Sequence, residues 1–411
     1  MRQGIKSACL LFFLLSLIGT NSYNQVIHEN ISYPDFQNRG MNIENVILLN
    51  IRPSEYEELR SNSGEKVNIA ARRIIINSDT LKPRQISTRG QTTLMYKRKS
   101  LSFKLKSKAK FRHGERKESL KKFSLLSLSM DKYYVRNRLA FELMDSLGLF
   151  NLYYSFCELK INGTSEGVFM IVERPEDWAL KKIKSPLIIR RGYDHRMVET
   201  KVYNTSERAE NKKYVGYYKQ IYKSLQDYEG EELYGVLQEY IDIDFYMKWL
   251  AFNFLVHNGD YSDEVFFYLD PEIEKYRIIP WDYDDIFATT PHEGLKQRDK
   301  LIGDKLIFSS EDLLDITIAT DPYLYMVYLE RLKELLESLS PDLFKQIIER
   351  TYAELFPFYS QREIISNSQY DQFKDASMQN LQSYLSDIYL SLCGFRSSYL
   401  EYLDSDRVII K

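Results

Sequence analysis

Two short stretches of this chain place carboxylates where they could act together. The first is His257-Asn258-Gly259-Asp260; the second is Pro280-Trp281-Asp282-Tyr283-Asp284-Asp285. Between them lie Asp263 and Glu264. Phosphoryl transfer needs such a division of labour. One carboxylate must orient or deprotonate an attacking hydroxyl, and another must hold a divalent metal against the phosphates. Asp260 suits the first task. Asp282 suits the second, with Asp284 as a further ligand, because carboxylate oxygens are the donors that Mg²⁺ and Mn²⁺ prefer. A single Asp at a turn reads equally well as solvated surface; the informative signal is the combination.

The elements that must position these groups are legible around them. Phe245 to Val256 is apolar on almost every face, broken only by Lys248 and Asn253. A helix of that kind is a buried helix. Asn258-Gly259 is a turn signal that ends it. Val265–Leu269 and Tyr276–Ile279 are β-rich runs around Asp270-Pro271, and the second stops at Pro280. One carboxylate therefore follows a buried helix and the others follow a hairpin. Loop groups carried by rigid elements can reach a cleft and still be held in place.

Cations that could meet phosphate lie earlier in the chain. Leu101, Phe103 and Leu105 alternate with Ser100, Ser102 and Lys104, which predicts a strand with one apolar face. Arg89-Gly90 sets a cation beside a residue that lets backbone approach a ligand closely. Arg89, Lys99 and Lys104 together could bind nucleotide phosphates; a basic, solvent-facing hairpin is the alternative. No GxGxxG loop is present. The basic run 106–122 is expected to be a solvated loop. Tyr133 to Leu147 reads as an amphipathic helix ended by Gly148, and its Glu142 could pair with a nucleotide-binding Lys. Asn162-Gly163 predicts a hairpin. Its second strand ends at Glu173, a position from which a carboxylate can face the cleft.

Six segments together resemble the spore-coat-protein-H (CotH) kinases, atypical protein kinases of the secretory type. They are ISTRGQTT (Ile86–Thr93), KSLSFKL (Lys99–Leu105), VRNRLAFELMDSLGL (Val135–Leu149), ELKINGTSEGVFMIVE (Glu158–Glu173), the HNGD stretch and IIPWDYDDIF. Their order is similar to the family's over about residues 45–290, and more loosely to about 400. The resemblance implies an α+β, bilobal, atypical protein-kinase-like fold with an antiparallel β-rich N-lobe and a mainly helical C-lobe. It also implies ATP with Mg or Mn as cofactors, and transfer of the γ-phosphate to Ser or Thr of a protein substrate. Three departures stand out. Gln91 replaces the family's Asn after Arg-Gly, Ser102 falls where Arg is common, and Glu264 stands where the family places a metal-binding Asn. Glu264 as a third metal ligand keeps the chemistry; a catalytically silent cell-envelope binding or scaffold protein is the other reading.

Composition narrows the class. The chain has 411 residues, 56 Lys plus Arg against 58 Asp plus Glu, and no basic excess that would support nucleic-acid binding. Residues 1–24 have a basic start, Arg2 and Lys6, and an apolar run Ala8–Ile18 too short to span a bilayer, the pattern of an export signal. The expected location is the periplasm, the cell surface or the extracellular space, with no membrane span after cleavage. Residues 25–44 read as a leader and 45–403 as one kinase-like domain, divided into an N-lobe over about 45–190 and a C-lobe over 191–403. Cys157 and Cys393 cannot form a disulfide framework. His and Cys are too few and too scattered for a structural zinc site.

Overall fold

In a computed structural model, residues 31, 33, 42–61, 64–192, 201–204, 208–368 and 376–405 are described. The proposed signal and nearly all of the leader lie outside them. The N-terminal region is built on period-two patterning. β1 (Val46–Asn50), β2 (Arg73–Ile76), β3 (Asp79–Leu81), β4 (Pro83–Arg89), β5 (Ser100–His113), β6 (Arg116–Leu126), β7 (Tyr154–Ile161) and β8 (Thr164–Glu173) form one sheet in the order β3-β2-β1-β7-β8-β6-β5-β4. Its pairs are antiparallel except β1 with β7, which is parallel. α1 (Pro53–Ser61) follows β1.

The basic run 106–122 is not a loop. It forms most of the β5–β6 hairpin, with Ala109, Phe111 and Leu120 turned inward and the cations mostly outward. Phe103 stacks on Phe123 with ring centroids 4.7 Å apart, and Phe111 meets the same ring edge-on. The sheet curls enough for β1 and β2 to reach the far end of β5. Asn45 exchanges hydrogen bonds with the Arg112 backbone at 2.7 and 3.0 Å, and the Asn77 amide donates to the Lys110 carbonyl at 2.9 Å. Ile47, Leu49, Ile74, Phe103, Phe123, Phe169 and Ile171 fill the space so enclosed.

α2 (Arg136–Ser146) lies between β6 and β7, and the C-terminal part is mainly helical. It contains α3 (Arg208–Asp227), α4 (Gly230–Tyr240), α5 (Ile243–Leu255), α6 (Leu295–Ile302), α7 (Leu313–Thr320), α8 (Pro322–Ser338), α9 (Pro341–Tyr359), α10 (Arg362–Ser368) and α11 (Met378–Asp404). α5 is the buried helix that the sequence predicts. Its residues are buried except Asp244, Phe245 and Lys248, and the Asp242 carboxylate caps its first turn by accepting from Phe245 N. A second sheet, β10-β9-β11-β12, lies against it, with β9 (Leu187–Arg190), β10 (Lys201–Asn204), β11 (Val265–Asp270) and β12 (Lys275–Pro280). The architecture is α+β, a sheet-rich first part and a helical second part. Among the described residues no helix is long and apolar enough to cross a membrane, and Cys157 and Cys393 are free and buried.

Candidate active site

α5 ends at Leu255 and the chain turns sharply, with His257 in the left-handed region at φ 49°. Two buried amides hold the turn. Asn258 donates from its backbone to the Asn253 carbonyl and from its side chain to Asn253 Oδ1, both at 3.0 Å. Its own Oδ1 accepts from Asp260 N at 3.3 Å. Asp260 is thereby presented from a rigid loop, half-buried.

The loop after β12 is stitched to this one through backbone. Phe287 N donates to Val256 O at 2.8 Å, Ala288 N to His257 O at 3.0 Å, Gly259 N to Asp285 O at 3.0 Å, and His292 N to Gly259 O at 2.9 Å. Closeness, not φ, is what favours glycine at Gly259. A Cβ there would lie 2.1 Å from an Asp285 carboxylate oxygen and 3.0 Å from the Ala288 Cβ. A third support comes from the start of α2. Asp131 accepts from Arg136 N and Asn137 N at 2.7 and 2.9 Å. Arg136 in turn donates to Asp284 O at 2.8 Å, and Asn137 Oδ1 accepts from Tyr283 N at 3.0 Å. Asp282 is held at φ 54°, a conformation that costs a non-glycine residue energy and is found at sites where surroundings over-determine the backbone.

The result is a group of carboxylates that raise one another's proton affinity. Burial and then Asp263 push Asp260 up to about 6. Burial pushes up Asp282, opposed by Arg89 and Arg190. Asp284 is driven well above the carboxylate range by burial and then by Asp282, and Glu264 by the same two causes. Arg89 is one of two cations that face them, with Arg190. It hydrogen-bonds Ser124 Oγ, lies over the Trp281 ring at 5.1 Å, and is drawn up by Asp282 against the larger effect of burial. Glu264 is strapped by Arg190 at 2.8 Å through one oxygen, while its other oxygen is buried without a partner among the described residues. An orphaned carboxylate oxygen beside other carboxylates, all oxygen donors, fits a hard divalent cation. Among the described residues, however, no three Asp, Glu, His or Cys side chains close into a metal-holding group.

The other sequence-predicted cations and carboxylates are placed differently. Strand register puts Lys104 on the same face as Arg89, but four residues along the sheet, about 13 Å away, where it donates to Gln85 at 3.0 Å. Lys99 is buried, its ammonium donating to the Tyr96 carbonyl at 3.1 Å, and burial alone lowers its pKa. The expected pairing of Glu142 with a nucleotide lysine is not what the structure contains. Glu142 accepts from Arg138 at 3.0 Å and Tyr154 at 2.6 Å, and also from Arg350 of α9. Three hydrogen-bond donors already meet that carboxylate, two of them guanidinium groups. Glu173 ends β8 as expected, but it is buried against Lys182 at 2.7 Å, a lysine that the sequence did not single out. Arg190, Asp131 and Asn137 were also missed, while Asn253 and Asn258 were visible as a break in the helix and as its turn but not as the pair that holds that turn. The Arg190-Arg191 doublet at the end of an apolar strand was the one available signal for Arg190.

Three comparisons bear on this geometry. A family model described as CotH kinase protein matches residues 86–388. The inner spore coat protein H of Bacillus subtilis (strain 168) is 21% identical over 243 residues, 56% of this chain; the match spans 66% of that relative's length. Among solved structures, the Helicobacter pylori proinflammatory kinase CtkA has a TM-score of 0.32 at 11% identity, covering 72% of this chain and 94% of its own. HipA of the Shewanella oneidensis MR-1 toxin–antitoxin complex has a TM-score of 0.29 at 11% identity, covering 78% and 62%. Likeness at that level carries no argument, and the weight rests on the family match. That match takes in both candidate loops, Arg89 and most of the chain, and this chain belongs to the CotH kinase family.

Proposed function

We propose that this protein is an exported kinase that transfers the γ-phosphoryl group of ATP to a Ser or Thr hydroxyl of a protein substrate. The observation that carries this reading is the backbone stitching of the Asp260 loop to the Asp282 loop, with Arg89 facing Asp282. A binding protein has no need to hold two such carboxylates against their own repulsion. The acceptor oxygen bonds to the γ-phosphorus as the bond to the β,γ-bridging oxygen breaks, and ADP leaves. Asp260 orients the hydroxyl and takes its proton, which passes on to solvent. Its raised pKa suits that exchange, because a general base works best with a pKa near the operating pH. Arg89 is the candidate cation for phosphate oxygens, with Lys104 further along the same face, because Arg190 is engaged with Glu264. Asp282, with Asp284 and the unpartnered oxygen of Glu264 as candidate further ligands, would have to draw closer together to hold a Mg or Mn ion, which when bound would neutralise phosphate charge.

The test is transfer from γ-labelled ATP to the protein itself or to a Ser/Thr-rich polypeptide, with nucleotide affinity measured on the same samples. Asp260→Ala should lower transfer by about 10²–10⁴ and leave nucleotide binding in place. Equal transfer by the variant would sink the assignment.

A second reading has its own observation. Arg190 already clamps Glu264, the residue that stands where the family has Asn. A protein that keeps the fold but only binds its partner would tolerate that clamp. Nucleotide binding without transfer, restored to transfer by Glu264→Asn, would favour it. Export is proposed from residues 1–24 alone. Mass spectrometry of protein from its native source should find them removed, and an intact N-terminus would replace cleavage with an anchor.

A further inference from the structure

His292 has no part in the mechanism above, yet it sits in the seam between the two loops. Its backbone N–H donates to Gly259 O at 2.9 Å, one residue before Asp260. Its Nδ1 lies 3.2 Å from a Glu311 carboxylate oxygen. The imidazole is 57% exposed and Glu311 only 6%, so one edge of the ring is anchored while the rest opens outward. Neighbouring Glu293 is already committed elsewhere. It accepts from the Ser309 hydroxyl and from the backbone and hydroxyl of Ser310. Glu311 is a direct partner of the ring.

We propose that His292, held by Glu311, is a positioning residue for Asp260: it sets a cationic imidazole beside the hydroxyl-handling carboxylate and keeps that carboxylate ionised when the acceptor arrives. The proposal rests on the reaction proposed above. The charged groups facing His292 are Glu311, Asp260 and Glu293, with Asp285 across the seam. Partial burial pulls the imidazole down, but Glu311 and then Asp260 outweigh it, and its pKa is raised. The influence is mutual. Burial and Asp263 push Asp260 up, and His292 is the first group that opposes them. Without the cation, Asp260 would hold its proton to a higher pH.

The experiment is the pH profile of transfer from γ-labelled ATP for wild type, His292→Gln and His292→Lys. An opposite charge nearby lowers a carboxyl pKa, and a half-exposed ring acts at the weak end of that range. In His292→Gln the acid limb should move up by about half to one pH unit. The loss of rate should therefore be largest near pH 6 and vanish above about pH 8, where Asp260 is ionised with or without the cation. His292→Lys keeps the cation and should hold the limb at or below its wild-type position. Superimposed profiles for wild type and Gln, or identical behaviour of Gln and Lys, would overturn the proposal. A second readout does not depend on transfer. With five histidines in the chain, ring signals can be followed by NMR, and the His292 pKa should fall in Glu311→Gln and in Asp260→Asn. If wild type transfers no phosphate, the proposed reaction fails, and the ring titration alone decides the pairing. An unmoved His292 pKa in Asp260→Asn would overturn it.

Discussion

Asp260→Asn should make this protein more stable and less active. Burial and neighbouring carboxylates raise Asp260 from 3.8 to about 6. The sign follows from linkage. A carboxyl whose folded pKa lies above its unfolded value binds its proton more tightly in the native state. Its favourable contribution is complete below the unfolded pKa and is lost as pH rises through the folded one. For Asp260 that window runs from about pH 4 to about pH 6. At 1.36 kcal/mol per unit, a shift of about two units costs roughly 3 kcal/mol once the group is ionised, and solvent screening of this partly exposed side chain reduces that to about 1–2 kcal/mol. Asn carries no charge and escapes the cost. Urea unfolding of the two proteins should therefore show the variant ahead by about 1–2 kcal/mol at pH 7.5, with an unchanged m-value, and level with wild type near pH 3.5. Transfer from γ-labelled ATP should fall in the same variant by about 10²–10⁴. A variant no more stable than wild type at pH 7.5, or one whose advantage grows on acidification, would refute the electrostatic account of the site.

Three further outcomes follow from neighbouring features. Nucleotide with Mn²⁺ or Mg²⁺ should raise the melting temperature, by a stabilisation of about 2.7 kcal/mol at one hundred times Kd, and Asp282→Asn should remove most of that rise in thermal-shift measurements. Gly259→Ala, which drives a Cβ into Asp285 and Ala288, should abolish transfer while circular dichroism shows the helices intact, because the disturbance is confined to the seam between two loops. Glu354, drawn down to about 2 despite its burial by Arg138 and then His113, supports stability above about pH 4.5 and loses it as pH falls toward 2. Glu354→Gln should therefore cost about 2–3 kcal/mol at neutral pH, since Arg138 loses one carboxylate partner and keeps Glu142, and should flatten the acid limb of the stability profile in the same urea series.

Elements whose partners lie close in sequence were legible. α5 declared itself because it is apolar on nearly all faces, and the β11–β12 and β7–β8 hairpins because Asp270-Pro271 and Asn162-Gly163 punctuate β-rich runs. The run 106–122 misled because its cations point outward, and the inward residues Ala109, Phe111 and Leu120 are too few to dominate so much charge. Strand alternation was present there, but the register shift between Lys104 and Ala109 interrupts its period. Glu142 shows the other kind of failure. Its i,i+4 neighbour Arg138 was visible, but Arg350 and Glu354 of α9 lie about two hundred residues away, and they are what engages it and Arg138. Pairings across such separations depend on tertiary packing that no local pattern encodes.

The same reasoning explains why the carboxylates of the site were legible while their supports were not. Asp260, Asp282 and Asp284 can be picked out because charged groups after a buried helix and a buried hairpin need a reason to be there. What holds them is mostly backbone: the bonds from Phe287, Ala288, Gly259 and His292 across the seam, and the grip of α2 on Tyr283 and Asp284. Any residue type can make a backbone bond, so none announces itself. Only Gly259 leaves a trace, because close approach excludes a side chain. This division has a physical logic. Carboxylates that repel one another and lose hydration are not held together by attraction to one another, and Arg89 and Arg190 only partly offset the cost, as the upward shifts of Asp260, Asp282, Asp284 and Glu264 record. They stay together because the scaffold's hydrogen bonds would be lost if they separated. Charge held in place in this way is what phosphoryl transfer uses, so the proposed reaction depends on the scaffold that keeps the two loops together.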